Sequence, residues 1–186
     1  KQGRRIRIVG DYDIDGVCST YLLFQALNRL GAWVDYEIPD RVKDGYGINE
    51  QIVQQAFEDK VDTILTCDNG ISAVEQMETA KSLGMTVIIT DHHEIVKAEE
   101  REVIPRADAV VNPKQSDCAY PWKEICGGMV AYKLIQILYE KAGVSIEEWK
   151  DMMEFAAIAT VGDVMRLQEE NRILVKEGLK RLPFTK

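Results

Sequence analysis

Apolar positions along the chain follow two rhythms. Short, nearly continuous β-branched runs predict strands at roughly Arg4–Gly10, Val34–Ile38, Asp62–Gly70, Met85–Thr90 and Ala107–Asn112. Between them the spacing lengthens to three or four residues. Val17, Tyr21, Phe24 and Leu27 predict a helix from Gly16 to about Leu30. Asn49 is placed to cap a helix running to about Glu58, and Ser72-Ala-Val-Glu75 reads as a capping box. From there on the pattern is helical: Gly128–Ala142, a helix from the Ser145-Ile-Glu-Glu148 box to about Val161, and one over roughly Glu169–Leu182. The segment IPDRVKDGYGIN between the second strand and second helix reads as a loop.

Strands alternating with helices predict an α/β fold. The expected architecture is a mainly parallel five-stranded sheet with helices on both faces and a helical C-terminal part. One domain is expected, with a sheet core over about 1–125 and the helical part over about 126–186. No internal repeat or low-complexity tract interrupts it.

Composition changes this picture in four ways. A chain of 186 residues with 46% hydrophobic content is able to bury a real core. No apolar run is long enough to span a bilayer, and residues 1–20 lack signal-peptide layout, so a cytoplasmic location without membrane contact is expected. Cys18, Cys67, Cys118 and Cys126 form no CxxC pair and no zinc spacing, which predicts reduced thiols. The net charge of −8 argues against holding nucleic acid by bulk charge alone.

The chemistry gathers where the strands should end. Ligands of open parallel sheets bind at the carboxyl ends of the strands. Here those ends carry Asp11, Asp13 and Asp15, then Asp68, then Asp91-His92-His93. If the first strand stays extended, alternation turns all three leading aspartates to one side. Each residue has an ordinary role on its own: Asp13 or Asp15 as a helix N-cap, Asp68 in an Asp-Asn-Gly turn, Asp163 as a surface acid or cap. Together they suit a hard or borderline divalent ion such as Mn²⁺ or Mg²⁺. Two ions would neutralise so many carboxylates best, and ions about 3.5–4 Å apart stabilise phosphoryl displacement. P-loop, Rossmann and nucleophile-elbow signatures are absent.

In this order, DYDIDG, CDNG, DHH and GDV resemble the four motifs of the DHH phosphoesterase superfamily, in its RecJ-type exonuclease branch. The segments IPDRVKDGYGIN, NPKQSDCAYPWKEICGGMVAYKL and ENRILVKEGL are similar to connecting regions of that branch, so the resemblance spans nearly the whole chain. It implies two ions: Asp13 on one, Asp15 on the other, Asp68 bridging, His92 and Asp163 completing the shell beside Asp15. His93 would face the scissile phosphate, and Asp91 would orient a histidine through its ring N–H. Asp11 would be a peripheral ligand or simply cap the site. Val9 stands where small-molecule members resemble HxxxDxD with a histidine, which favours the exonuclease branch. Nothing after Asp163 resembles the further glycine-rich domain of such enzymes, so the chain is expected to be the catalytic domain alone, its substrate-binding domain lying beyond it.

The resemblance further implies 5′-to-3′ degradation of single-stranded DNA to mononucleotides, in repair and recombination. Arg41, Tyr46, Ser19, Lys114 and Asn69 are the substrate contacts it suggests, with Lys43 and Lys123 in similar loops. Tyr46 and Trp122 would stack on bases, although packing explains an aromatic equally well. Basic residues cluster at Lys1, Arg4, Arg5 and Arg7 and again at Arg172, Lys176, Lys180, Arg181 and Lys186. Two alternatives stand beside this reading: a phosphoesterase for short oligonucleotides, nucleotide phosphates or cyclic dinucleotides, and a non-catalytic scaffold.

Overall fold

The computed structural model describes residues 3–42, 45 and 47–185. In chain order the elements open with β1 Arg5–Val9, α1 Ile14–Arg29, β2 Trp33–Glu37, α2 Glu50–Glu58, β3 Thr63–Cys67, α3 Val74–Ser82 and β4 Thr86–Thr90. A small hairpin follows, β5 Lys97–Ala98 and β6 Arg101–Glu102, then β7 Ala109–Val111. The chain then turns helical, through α4 Gly127–Ala142, α5 Ile146–Lys150, α6 Met153–Gly162 and α7 Glu169–Leu179. The five longer strands form one sheet, all neighbours parallel, in the order β2-β1-β3-β4-β7.

Alternation along the central strands sorts their side chains to two faces. Ile8, Leu65 and Cys67 pack with Leu22, Leu23, Met129, Ala156 and Leu174 of α1, α4, α6 and α7. Val9, Ile64, Val87 and Ile89 pack on the opposite side with Ile52, Val53, Met77 and Ala80 of α2 and α3. Every residue of β3 is buried, as a strand covered on both faces requires. The predicted helical part over 126–186 is therefore built onto the sheet, sharing one core with it.

Several local expectations are corrected. Helix α1 begins before Gly16, with Asp13 as N-cap. Ser72 caps nothing: α3 starts after Ala73 without a side-chain cap, because Gly70 (φ +105) and the Ile71 N–H bond to Asp91 hold this segment in turns. The single helix expected from Ser145 to Val161 is split after Lys150, where Trp149 is tied down by its ring N–H bond to the Tyr132 carbonyl (2.9 Å) and stacks on that ring. Helix α7 stops at Leu179: Pro183 has no N–H to offer the Leu179 carbonyl, and Leu182–Phe184 form a separate 3₁₀ turn. The β5–β6 hairpin turns through Glu99 and Glu100 at φ 49 and 66, positions that usually ask for Asn or Gly, so no sequence signal announced it.

The strand order reverses between β1 and β3, and the carboxyl ends of β1, β3 and β4 sit side by side there. Among the described residues all four cysteines are free, and no helix is long and apolar enough to cross a membrane.

Candidate metal centre

Strand β1 ends at Val9, so the three leading aspartates are not an extended run. They converge because the chain folds back sharply into α1. Gly16 sits so close to Asp11 that a Cβ there would lie 2.5 Å from the Asp11 carbonyl oxygen. Asp13 caps the helix by accepting the Gly16 N–H (2.9 Å) and stays exposed, whereas Asp11 and Asp15 are buried. The expectation of a common face through strand alternation is thus replaced by a tight turn and a cap.

Asp15 reaches across the fold. Its Oδ2 accepts the Gly127 N–H and its Oδ1 the Gly128 N–H, both at 2.7 Å, at the start of α4. Two amides and the positive end of a helix dipole allow a carboxylate to be buried there.

Asp68 leaves β3 with a left-handed backbone, φ 61, a conformation that costs a non-glycine residue about 1 kcal/mol or more. Burial pushes its carboxyl well above the usual range, and the charges of Asp15 and Asp13 push it further. At the end of β4, Asp91 is a hub. Its Oδ1 accepts the N–H groups of His92 (2.7 Å) and His93 (3.1 Å) and the His93 ring at Nδ1 (2.7 Å), while Oδ2 accepts Ile71 N–H. Burial opposes its charge, but the His93 ring bond and these amides hold its carboxyl below the ordinary range. The same bond raises the His93 pKa.

His92 is 6% exposed and stands among acids. Its Nε2 lies 3.1 Å from Asp68 Oδ1, 3.5 Å from Asp15 Oδ2 and 3.6 Å from Asp163 Oδ2. Neither ring nitrogen makes a hydrogen bond among the described residues. Burial lowers its pKa, which favours the neutral imidazole that ligates metals. Asp163 ends α6 as its C-cap, and burial, then Asp15 and Asp13, raise its carboxyl to about 6.

Three overlapping ligand groups result, each with its donor atoms within 4.8 Å of one another: Asp11, Asp13 and Asp68; Asp68, His92 and His93; Asp15, His92 and Asp163. Among the described residues no lysine or arginine bridges to Asp11, Asp15 or Asp163. Lys114, whose charge is felt at Asp163 and His92, is paired with Glu94 at 2.8 Å. Oxygen-rich groups, two of which share the His92 imidazole, with that buried ring unbonded among the described residues, fit divalent Mn²⁺ or Mg²⁺.

The suggested substrate contacts divide. Arg41 is exposed and sits over the Tyr12 ring at 5.3 Å, beside the aspartate turn. Ser19 is completely buried behind Gly128, and Asn69 spends its amide on Val9 and Cys67 carbonyls and the Ile48 N–H, so both support the site from within. Lys123 donates to the Gln115 carbonyl, and the Trp122 ring nitrogen is buried. Tyr46 and Lys43, with Lys1 and Lys186, lie outside the described residues. Sequence reasoning missed Gly127–Gly128. The cue was a glycine pair opening a helix that has no Ser, Thr, Asp or Asn at its N-cap.

Comparison with known proteins bears on this geometry. The model of the DHH family, N-terminal domain, matches residues 5–161. The single-stranded-DNA-specific exonuclease RecJ of Bacillus subtilis is 43% identical over 184 residues, which is 99% of this chain and 22% of the relative. The protein of the same name from Escherichia coli is 37% identical, over 98% of this chain and 32% of its own length. The chain thus spans about a fifth to a third of the curated relatives it matches. Among solved structures, an exonuclease RecJ bound to manganese superimposes with a TM-score of 0.87 at 37% identity, covering 99% of this chain and 45% of that one. RecJ from Thermus thermophilus in complex with Mn²⁺ gives 0.81 at 35% identity, over 100% of this chain and 25% of that one.

Proposed function

The chain belongs to the DHH family, and from that premise we propose that it is the metal-binding part of a nuclease that hydrolyses phosphodiester bonds of single-stranded DNA, releasing mononucleotides from the 5′ end. The observation that carries the reading is His92: a buried ring with three carboxylates around one nitrogen and no hydrogen bond among the described residues. In this proposal Asp13, Asp68 and the peripheral Asp11 hold one divalent ion, Mn²⁺ or Mg²⁺. Asp15, His92 and Asp163 hold the second, with Asp68 between the two.

When bound, such a pair activates a water near neutral pH and neutralises charge on phosphoryl oxygens. The chain's own groups do the rest. Asp15, its carboxylate plane fixed by two amides, is set in place before the reaction begins. His93 keeps its proton on Nδ1 through Asp91, and the same bond raises its pKa, which favours a positively charged ring able to steady a phosphate oxygen. Arg41 and Lys114 supply further charge toward the strand backbone. The greater length of the relatives supports a shared grip, with other parts of a longer protein holding much of the DNA.

Isothermal titration of the chain with Mn²⁺, together with hydrolysis of 5′-labelled single-stranded DNA, tests this. Two sites and mononucleotide products, both lost in Asp68→Ala, are expected. Binding of no Mn²⁺ overturns the metal centre. Turnover of dinucleotides but not of longer strands moves the substrate to the short-oligonucleotide class.

A further inference from the structure

Helix α4 starts in an unusual way. Cys126, its N-cap residue, has the extended backbone of a cap but makes no side-chain cap bond. Helices normally satisfy their first amides with a local Ser, Thr, Asp or Asn. Here the job falls to Asp15, 112 residues away in sequence, whose two oxygens take one amide each. We propose that Gly127 and Gly128 are positioning residues of the metal centre: their amides set the plane of the Asp15 carboxylate, and their missing side chains let this helix end touch the other ligand-bearing elements. This inference rests on the metal-centre reading above.

The contacts argue for more than helix capping. A Cβ at position 127 would meet the Asp68 Cβ and Oδ1 at 2.7 Å. One at position 128 would meet the Ala159 Cβ at 2.6 Å and Asp15 Oδ1 at 3.1 Å. Ala159 in turn supplies the carbonyl that accepts the Asp163 N–H, at 2.9 Å. One helix end therefore lies against Asp15, Asp68 and the segment that holds Asp163. Each Asp15 oxygen spends one lone pair on an amide and keeps another for a cation. Fixing the plane by two short bonds orients those remaining lone pairs before any cation arrives, the role that partners of metal ligands usually play.

The contact at Ala159 allows packing and positioning to be separated. Gly128→Ala is expected to lower both the melting temperature of the metal-free chain and its Mn²⁺ affinity, the latter about tenfold or more. In Gly128→Ala/Ala159→Gly the clash at 2.6 Å is gone while the contact on Asp15 at 3.1 Å remains. Melting temperature should then recover most of the way while Mn²⁺ affinity stays well below that of the parent. Recovery of both would reduce Gly128 to a packing residue and overturn the proposal. The unaltered chain offers a second readout that needs no folded variant. By NMR, the Gly127 and Gly128 amide protons should exchange slowly and shift on titration with diamagnetic Mg²⁺. Exchange as fast as that of an open helix end, or no response to Mg²⁺ that binds elsewhere, overturns it too. If the parent chain binds neither ion, the metal-centre reading itself fails, and the exchange rates still report whether Asp15 caps α4.

Discussion

Arg7 and Asp11 are four residues apart, yet the carboxylates gathered around them are balanced in opposite ways. The Arg7 guanidinium bonds Asp35 through two nitrogens at 2.9 Å, Asp59 at 3.0 Å and Glu37 at 3.4 Å, and these partners keep it firmly charged. Around Asp11, five aspartates and two histidines form three overlapping groups, and burial pushes Asp11, Asp68 and Asp163 toward protonation. One cluster carries its cation as a side chain. The other is arranged so that only a cation from outside can let all its acids ionise together. The first cluster is complete within the fold, whereas the second is the metal centre proposed above.

The comparison breaks most visibly at Asp68. Asp68→Ala takes a donor from two of the three ligand groups, so hydrolysis should fall by about three orders of magnitude or more, measured as initial rates at saturating Mn²⁺. The Arg7 cluster should be indifferent to this change. Next comes the response to metal. At about a hundredfold excess over its Kd, Mn²⁺ should stabilise the parent chain in a thermal melt by about 2.7 kcal/mol for each occupied site. Asp68→Ala should lose most of that gain.

Arg7→Met makes the reciprocal test. It leaves three acids without their common partner, and a loss of about 2 kcal/mol is expected from chemical denaturation, discounted because those acids are partly solvated. Mn²⁺ affinity should not move. The smallest effect concerns pH. In the metal-free fold Asp163 holds its proton up to about 6, whereas the unfolded chain releases it near 4. The group's contribution to stability is therefore lost as pH rises through that window and stays lost above it. Asp163→Asn should gain on the parent by on the order of 1 kcal/mol between pH 4 and 7, after allowing for solvent screening in the cleft. Saturating Mn²⁺ should reverse the order of the two.

Much of the site is legible in the amino-acid sequence. Asp13, Asp15, Asp68 and His92 stand out because acids and histidines repeatedly follow short apolar runs, and the parallel fold brings those run ends to one edge; Asp163, the C-cap of α6, is picked out only by the resemblance of its GDV motif to the family's. Asp91 as the partner that orients a histidine is what the resemblance implies, and its carboxylate takes the His93 ring N–H. Other expectations fail for physical reasons. Ser19 and Asn69 suggest substrate contacts because a hydroxyl and an amide near a motif look available, but burial and hydrogen bonds claim both. Ser72 follows the capping-box pattern, and the bond from Ile71 N–H to Asp91 overrides it. The left-handed backbone of Asp68 suits a residue type that tolerates that conformation, but Asp-Asn-Gly alone does not say which of its residues adopts it.

Local periodicity by itself determined the alternation of strands and helices, the burial of β3 on both faces and the loading of three strand ends with acids. Those features depend on residues within a few positions of one another, where side-chain direction follows from the backbone repeat. Tertiary structure alone decided which acids meet an arginine and which do not, and that Asp15 would cap a helix beginning 112 positions later. Charge pairing and close approach act through space, and only the closed fold sets those distances.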